Sequence, residues 1–172
     1  MNSYIILLRG INVGGKNILS MKNLRELLSN NGFTNVKTYI QSGNIFAQAS
    51  SATAKKVSSL IQSEFGFTPD TMILDEKEFL NSAKHNPFAA SDGKLVHLYF
   101  CSDTPSPNKD RLTSLKTATE EYLIRDKVFY LHAPDGIGRS KLVSNLESCL
   151  DTRATGRNLN TIRKLQELAQ AD

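Results

Sequence analysis

The chain lacks a long hydrophobic run, which excludes an ordinary membrane-spanning protein. None of its apolar stretches approaches the roughly 20 residues that a transmembrane helix needs. It also lacks the signature of a secretory leader, because the apolar run Tyr4–Leu8 is too short and has no basic segment before it or small-residue cleavage site after it. We therefore expect a cytoplasmic protein with no membrane partner.

Cysteine and histidine are scarce. The two cysteines, Cys101 and Cys149, lie far apart in the sequence and are expected to be buried thiols rather than a disulfide. The three histidines, His85, His97 and His132, show no metal-ligand spacing among themselves or with the cysteines. No acid/base pair or activated nucleophile can be identified. We expect no metal and no cofactor, and whether the protein is an enzyme stays open.

Composition and charge set the next bounds. The chain has 172 residues, of which 40% are hydrophobic and 22% charged, as in a globular protein with one compact unit or two small subdomains. Its formal net charge is +4. Segments 9–37 and 136–164 each carry a net +4, and the remainder carries −4. If the two segments meet, they form an electropositive patch suited to phosphates; otherwise they are solvated helix faces.

The first half, residues 1–83, follows the order β-α-β-β-α-β of a ferredoxin-like fold. Ser20 is the expected N-cap of the first helix, and Gly32 and Gly66 are the expected helix ends. We expect one four-stranded antiparallel sheet with the helices on one face. The expected elements are strands at 4–8, 36–41, 45–49 and 71–74, and helices at 21–31 and 53–65.

The second half, residues 84–172, repeats this order in part. After a short helix at 76–83, a hairpin is expected around Asp126-Lys127. No final strand can be recognised, so the pattern predicts an incomplete ferredoxin-like subdomain with a C-terminal helix, in an α+β protein. The expected elements are strands at 94–101, 121–125 and 128–132, and helices at 108–117, 139–150 and 159–169.

A glycine-rich basic loop follows the first strand. Gly10, Gly15 and Lys16 have most of the spacing of a phosphate loop, but Asn17 replaces its Mg²⁺-binding hydroxyl residue. The next helix also starts several residues later than a nucleotide-binding loop requires. The loop favours a weaker contact with an anion or nucleic acid. The alternative is that its glycines only permit a tight crossing between strand and helix.

Three further segments combine glycine, amides or cations. Segments 135–141 and 155–161 precede helices, and their composition suits either phosphate binding or capping of those helices. Segment 41–44 suits either ligand binding or a turn. The glycine-rich loop after the first strand and segments 135–141 and 155–161 all combine glycine with cations, and we expect these three loops to share one face. The candidate ligand-binding residues, all in these four segments, are Arg9, Gly10, Asn12, Gly14, Gly15, Lys16, Gln41, Ser42, Asn44, Arg139, Ser140, Lys141, Arg157, Asn158 and Asn160.

Several segments together resemble the bacterial proteins grouped as domain of unknown function 1697. This family usually has a tryptophan at the position of Leu159. The resemblance implies a two-part α/β fold of ferredoxin-like halves and no particular reaction. The segments, which run from the first strand to the last helix, are LLRGINVGGKN (7–17), Met21-x-x-Leu24-Arg25, YIQSGNI (39–45), Asn86-Pro87-Phe88, GRSKL (138–142) and TGRNLNTIRKL (155–165).

Three functions fit these observations. The first is binding of an anionic partner, either nucleic acid or a nucleotide-like phosphate, through the basic loops. The second is an enzyme that acts on a small phosphorylated substrate, and the third is a protein-interaction module. A deep pocket that holds a side chain of perturbed pKa favours the enzyme, whereas a broad, shallow basic face favours nucleic acid.

Overall fold

The computed structural model describes residues 1–171 and divides into two compact units. The first unit contains Met1–Ala83 together with the described residues from Arg163 onward, and the second contains Lys84–Ile162. Sequence analysis predicted that all of residues 84–172 belong to the second subdomain. Contacts within the first unit account for the difference, because Lys37 Nζ donates hydrogen bonds to the carbonyls of Leu168, at 3.3 Å, and Ala171, at 2.6 Å.

The first unit contains the expected antiparallel sheet. Its strands lie in the order β2-β3-β1-β4, which confirms that the four predicted strands belong together. The central strand β1 carries four consecutive fully buried residues, from Ile5 to Leu8, so both faces of the sheet are covered at its centre. The strands are β1 (Asn2–Arg9), β2 (Thr34–Tyr39), β3 (Asn44–Ala49) and β4 (Asp70–Asp75).

Two amphipathic helices cover one face of this sheet. Ser20 caps the first of them by accepting from Asn23 N–H, and Gly66 ends the second in the left-handed conformation, both as expected. Their apolar residues pack with alternate residues of β1 and β3, including Ile6 and Leu8. The helices of this part of the chain are α1 (Met21–Ser29), α2 (Ala54–Phe65) and α3 (Glu76–Lys84).

The second unit has the same topology, with strands in the order β6-β7-β5-β8. Its core on the helix side contains Tyr99, Phe129 and the free, buried thiols Cys101 and Cys149, as expected for the cysteines. The strands are β5 (Val96–Cys101), β6 (Glu121–Arg125), β7 (Val128–His132) and β8 (Ala154–Asn158). The helices are α4 (Lys109–Leu115), α5 (Lys141–Ser144), α6 (Leu146–Leu150) and α7 (Leu159–Gln170).

Two expectations for this half were wrong. The subdomain is not incomplete, because β8 supplies the final strand and pairs with β5. The single helix expected at 139–150 is two short helices, since Asn145 at φ −113° and ψ 10° ends α5 and precedes α6. No helix among residues 1–171 is both long enough and apolar enough to cross a membrane.

Candidate functional site

The glycine-rich loop of the first unit is a small β-hairpin, which we call the glycine hairpin (residues 12–17). Asn12 N–H donates to the Asn17 carbonyl at 3.1 Å, and Lys16 N–H donates to the Val13 carbonyl at 3.0 Å. Both central residues of the turn, Gly14 and Gly15, have positive φ, at 59° and 72°, which is the pattern of a type I′ turn. Lys16 therefore lies in the returning arm of a hairpin rather than at a helix N-terminus, unlike the lysine of a nucleotide-binding loop.

The side chain of Asn12 anchors this hairpin. Its Nδ2 donates to the carbonyls of Leu19 and Gln41, each at 2.8 Å, and its Oδ1 accepts from Leu19 N–H at 2.8 Å. Asn17 Nδ2 adds a bond to the Gly10 carbonyl at 2.9 Å. Asn12, predicted as a ligand-binding residue, thus uses its amide to join the hairpin to the turn at 40–43.

The turn at residues 40–43 lies at the same end of the first sheet and is hydrogen-bonded to β1. Leu8 N–H donates to the Gly43 carbonyl at 2.9 Å, and a Cβ on Gly43 would lie 2.6 Å from Leu8 Cβ. Asn44 is buried and donates from Nδ2 to the Tyr39 carbonyl and to Ser42 Oγ. The turn alternative therefore explains Gly43 and Asn44, while Gln41 and Ser42 remain on the exposed side of the loop.

Three aliphatic side chains stand exposed in these two loops. Val13 and Ile18 are each 66% exposed and Ile40 is 50% exposed. Ile40 also has φ +48°, a left-handed conformation that is rare for a β-branched residue and strained. We call the exposed set Val13, Lys16, Ile18 and Ile40 the rim surface, since all four lie at the end of the first sheet where β1 stops and β3 starts.

The two cations of the first loop differ in their surroundings. Lys16 is exposed, and its side chain has no hydrogen-bond or ion-pair partner among residues 1–171. Arg9 is half-buried and faces Asp70 across the β1–β4 ladder, so an opposite charge lies beside it. Of the two, Lys16 is the better placed to meet an external anion.

In the second unit, the segment 135–141 is organised by a buried Ser140. Its Oγ donates to Glu120 Oε2 at 2.6 Å and accepts from Val143 N–H at 3.2 Å, which makes it the N-cap of α5. Glu120, which sequence analysis did not single out as a site residue, is buried and also accepts from Thr117 N–H. The capping alternative is correct for Ser140, and Arg139 and Lys141 on either side of it are exposed.

Segment 155–161 is also mainly structural. Asn158 Oδ1 accepts from Thr161 N–H at 2.9 Å and so caps α7, and Arg157 Nη1 donates to the Gly156 carbonyl at 2.9 Å. Asn160 is exposed in the first turn of α7. Because β7 and β8 both pair antiparallel with β5, segment 135–141 and the start of α7 leave the same end of the second sheet. A face shared by the loops of both units stays a prediction.

Sequence analysis did not single out as site residues the polar side chains on the helix side of β5, which are those of His97, Tyr99 and Cys101. Burial lowers the pKa of His97, and burial together with the Glu120 carboxylate raises the pKa of Tyr99 to about 12. Burial, and secondarily the Glu147 carboxylate, raises the pKa of Cys101 to about 11. His97 Nδ1 and the Tyr99 hydroxyl have no hydrogen-bond partner in the described chain. Their signal was the alternation His-x-Tyr-x-Cys in a strand, which places all three on one face.

A groove of about 460 Å³ opens in the first unit between the ends of α1 and α2. Two carboxylates, of Glu26 and Glu64, and three asparagine amides line it beside Leu27 and Phe65, with no lysine or arginine. A groove of this charge repels phosphate. Among residues 1–171 no three His, Cys, Asp or Glu side chains cluster as metal ligands do.

Comparison with known proteins agrees with the geometry at the level of fold. The structure of a conserved bacterial protein, SP0830 from Streptococcus pneumoniae, superimposes with a TM-score of 0.75 at 23% identity, covering 98% of this chain and 99% of that one. No curated protein matches the chain. The model of the family described as protein of unknown function DUF1697 matches residues 1–130, and the chain therefore belongs to the DUF1697 family.

Proposed function

We propose that the protein binds nucleic acid in the cytoplasm through the rim surface, with Lys16 as its principal phosphate contact. The observation that carries this proposal is the exposed Lys16 on a hairpin that Asn12 fixes with three side-chain hydrogen bonds. Because the hairpin backbone is anchored, a phosphate contact by Lys16 has to order its side chain but not the loop that carries it. Lysine contacts of this kind supply affinity without reading the base sequence.

The hairpin tip is open to a ligand. Within residues 1–171, nothing lies within 4 Å of the position that a Cβ would take on Gly14 or Gly15, so a phosphate can approach the backbone there. The neighbouring aliphatic side chains, Val13 and Ile18, suit contact with the apolar faces of sugars and bases. In the second unit, Arg139 and Lys141 are exposed cations that suit a further phosphate contact.

An enzyme acting on a small phosphorylated substrate has less support. The groove between α1 and α2 is acidic. The side chains of perturbed pKa, His97, Tyr99, Cys101 and Tyr130, are buried on strands β5 and β7 of the other unit. Lys16 does not line this groove, so the groove lacks the cation that would hold a phosphate.

Protein interaction is the second candidate, and the exposed aliphatic residues favour it. Val13, Ile18 and Ile40 are exposed aliphatic side chains on two loops that the Asn12 side chain joins, and contiguous exposed apolar surface marks interaction sites. The two candidates differ in what Lys16 contributes, because binding to a phosphate polymer depends on its charge.

The test is fluorescence anisotropy with labelled single-stranded and double-stranded oligonucleotides of mixed sequence. We expect Lys16→Ala to weaken binding about tenfold near 0.1 M salt, the loss of one counterion-releasing contact. Lys55→Ala is the matched control, because exposed Lys55 follows β3 at the opposite end of the first sheet, and it should bind like the parent protein. Absence of binding at low salt, or equal losses in both variants, contradicts the proposal.

A further inference from the structure

The outer edge of β6 has the features of an interaction surface separate from the rim surface. β6 is the terminal strand of the second sheet and, in the part of the chain that the structure describes, pairs with β7 alone. Glu121, Leu123 and Arg125 point to one face and are exposed, with Leu123 at 43%. A terminal strand of this kind offers backbone N–H and C=O groups to another strand.

We propose that β6 pairs in antiparallel fashion with β6 of a second copy of the chain, about a two-fold axis that passes through Leu123. In this register Glu121 faces Arg125 of the partner subunit, and Arg125 faces the partner's Glu121. The two Leu123 side chains meet at the axis. The sequence Glu-Tyr-Leu-Ile-Arg is therefore complementary to itself in charge and apolar character, as a two-fold interface requires.

Backbone N–H and C=O groups along β6 point alternately towards β7 and outward, and this alternation is compatible with the same register. The two-residue turn of the β6–β7 hairpin makes Arg125 and Val128 a directly hydrogen-bonded pair, so Leu123 and Glu121 also bond towards β7. Tyr122 and Ile124 then direct their N–H and C=O groups outward. Symmetry about Leu123 places Tyr122 opposite Ile124 of the partner subunit, and these outward groups can complete a ladder.

The other strand edges do not have this complementarity. Self-pairing of β4 would place Asp70 opposite Asp75 of the partner subunit, which is repulsive. Strand β2 has a register shift between Thr34 and Lys37, which disrupts a regular edge. Strand β8 has one cation, Arg157, and no carboxylate to match it. The charge pattern therefore singles out β6.

The paired strands are five residues long, about 17 Å, so the contact is small. We therefore expect a dimer in concentration-dependent exchange with monomer. Sedimentation equilibrium of the full chain, from low micromolar to millimolar concentration, measures its dissociation constant. Monomer alone across this range overturns the proposal.

Charge reversal tests the register. Glu121→Lys puts two cations in each cross-strand pair and Arg125→Glu puts two carboxylates there, so each should raise the dissociation constant roughly tenfold or more. A mixture of the two variants should recover the parent's dimerisation as a heterodimer, because both pairs are again of opposite charge. Glu64→Lys and Lys109→Glu, exposed helix positions with the same changes of net charge, should dimerise like the parent protein.

Circular dichroism confirms that each variant is folded before it is compared. Dimerisation that survives both reversals, or a mixture that stays as monomeric as its components, overturns the proposal.

Discussion

Replacement of Gly156 by alanine tests whether this glycine serves packing. A Cβ at this position would lie 2.4 Å from Tyr99 Cε1 and 2.7 Å from Tyr99 Cδ1, well inside van der Waals contact. The ring has little room to move, because Tyr99 is only 8% exposed and packs edge-on against Phe129 at 6.1 Å. The overlap must be relieved by displacing the ring or the edge strand β8.

The magnitude follows from two opposing effects. Overpacking of a core costs about 1–3 kcal/mol. Replacing glycine in a strand recovers about 0.5–1 kcal/mol of backbone entropy. Because the ring is confined, we take the overpacking cost near the upper end of this range, about 3 kcal/mol. The net loss is then about 2 kcal/mol, which lowers Tm by about 4–8 °C in a chain of this size.

Thermal and urea unfolding followed by circular dichroism measure this loss. Gly138→Ala is the control, since nothing lies within 4 Å of its Cβ position and its φ is not positive, so its stability should change by under about 0.5 kcal/mol. If Gly156→Ala proves as stable as Gly138→Ala, the packing explanation of this glycine is wrong.

Two other perturbations have definite expected results. Asn12→Ala removes three side-chain hydrogen bonds, worth about 1 kcal/mol each, so it should lower the free energy of unfolding by about 2–3 kcal/mol. It should also speed amide hydrogen exchange in residues 12–19, and unchanged exchange there contradicts the anchoring role. Burial depresses the pKa of His97 below 6.5, so the stability this histidine contributes is present above pH 6.5 and is lost as the pH falls through its folded-state pKa. His97→Gln should therefore show a smaller loss of Tm between pH 7.5 and pH 5 than the parent protein, and identical losses would refute this.

The first sheet was predictable because its elements are marked by local signals that agree with one another. Apolar runs identify the strands, Ser20 accepts at the start of α1, and Gly66 adopts a left-handed conformation after α2. Each signal depends on neighbouring residues alone. The hairpin of β6 and β7 was predicted with correct bounds for the same reason.

Strand β8 escaped prediction because tertiary contacts determine it. The residues Ala-Thr-Gly-Arg-Asn have weak strand propensity, and Gly156 is required by the Tyr99 ring of the neighbouring strand. The break at Asn145 likewise interrupts a continuous helical period. The packing of Gly156 against Tyr99 cannot be read from local sequence.

The candidate site shows the same division. The composition of the sequence identified the loops, but it did not show which of their polar side chains form hydrogen bonds that stabilise the loops themselves. Asn12 was predicted as a ligand contact, and Ser140 and Asn158 as ligand contacts or caps. In the structure the Asn12 side chain joins two loops, and those of Ser140 and Asn158 cap helices. Lys16 is distinguished from Arg9 only by its neighbours, since Asp70 lies across the ladder from Arg9.

The salt dependence of nucleic-acid binding by the parent protein and Lys16→Ala tests the proposed function most directly. The logarithm of the binding constant should fall linearly with the logarithm of salt concentration, because each phosphate contact releases counterions. Removal of Lys16 should make that slope shallower by roughly one unit, while Lys55→Ala keeps the parent slope. Salt-independent binding, or the same slope in the parent protein and Lys16→Ala, would contradict a phosphate contact by Lys16.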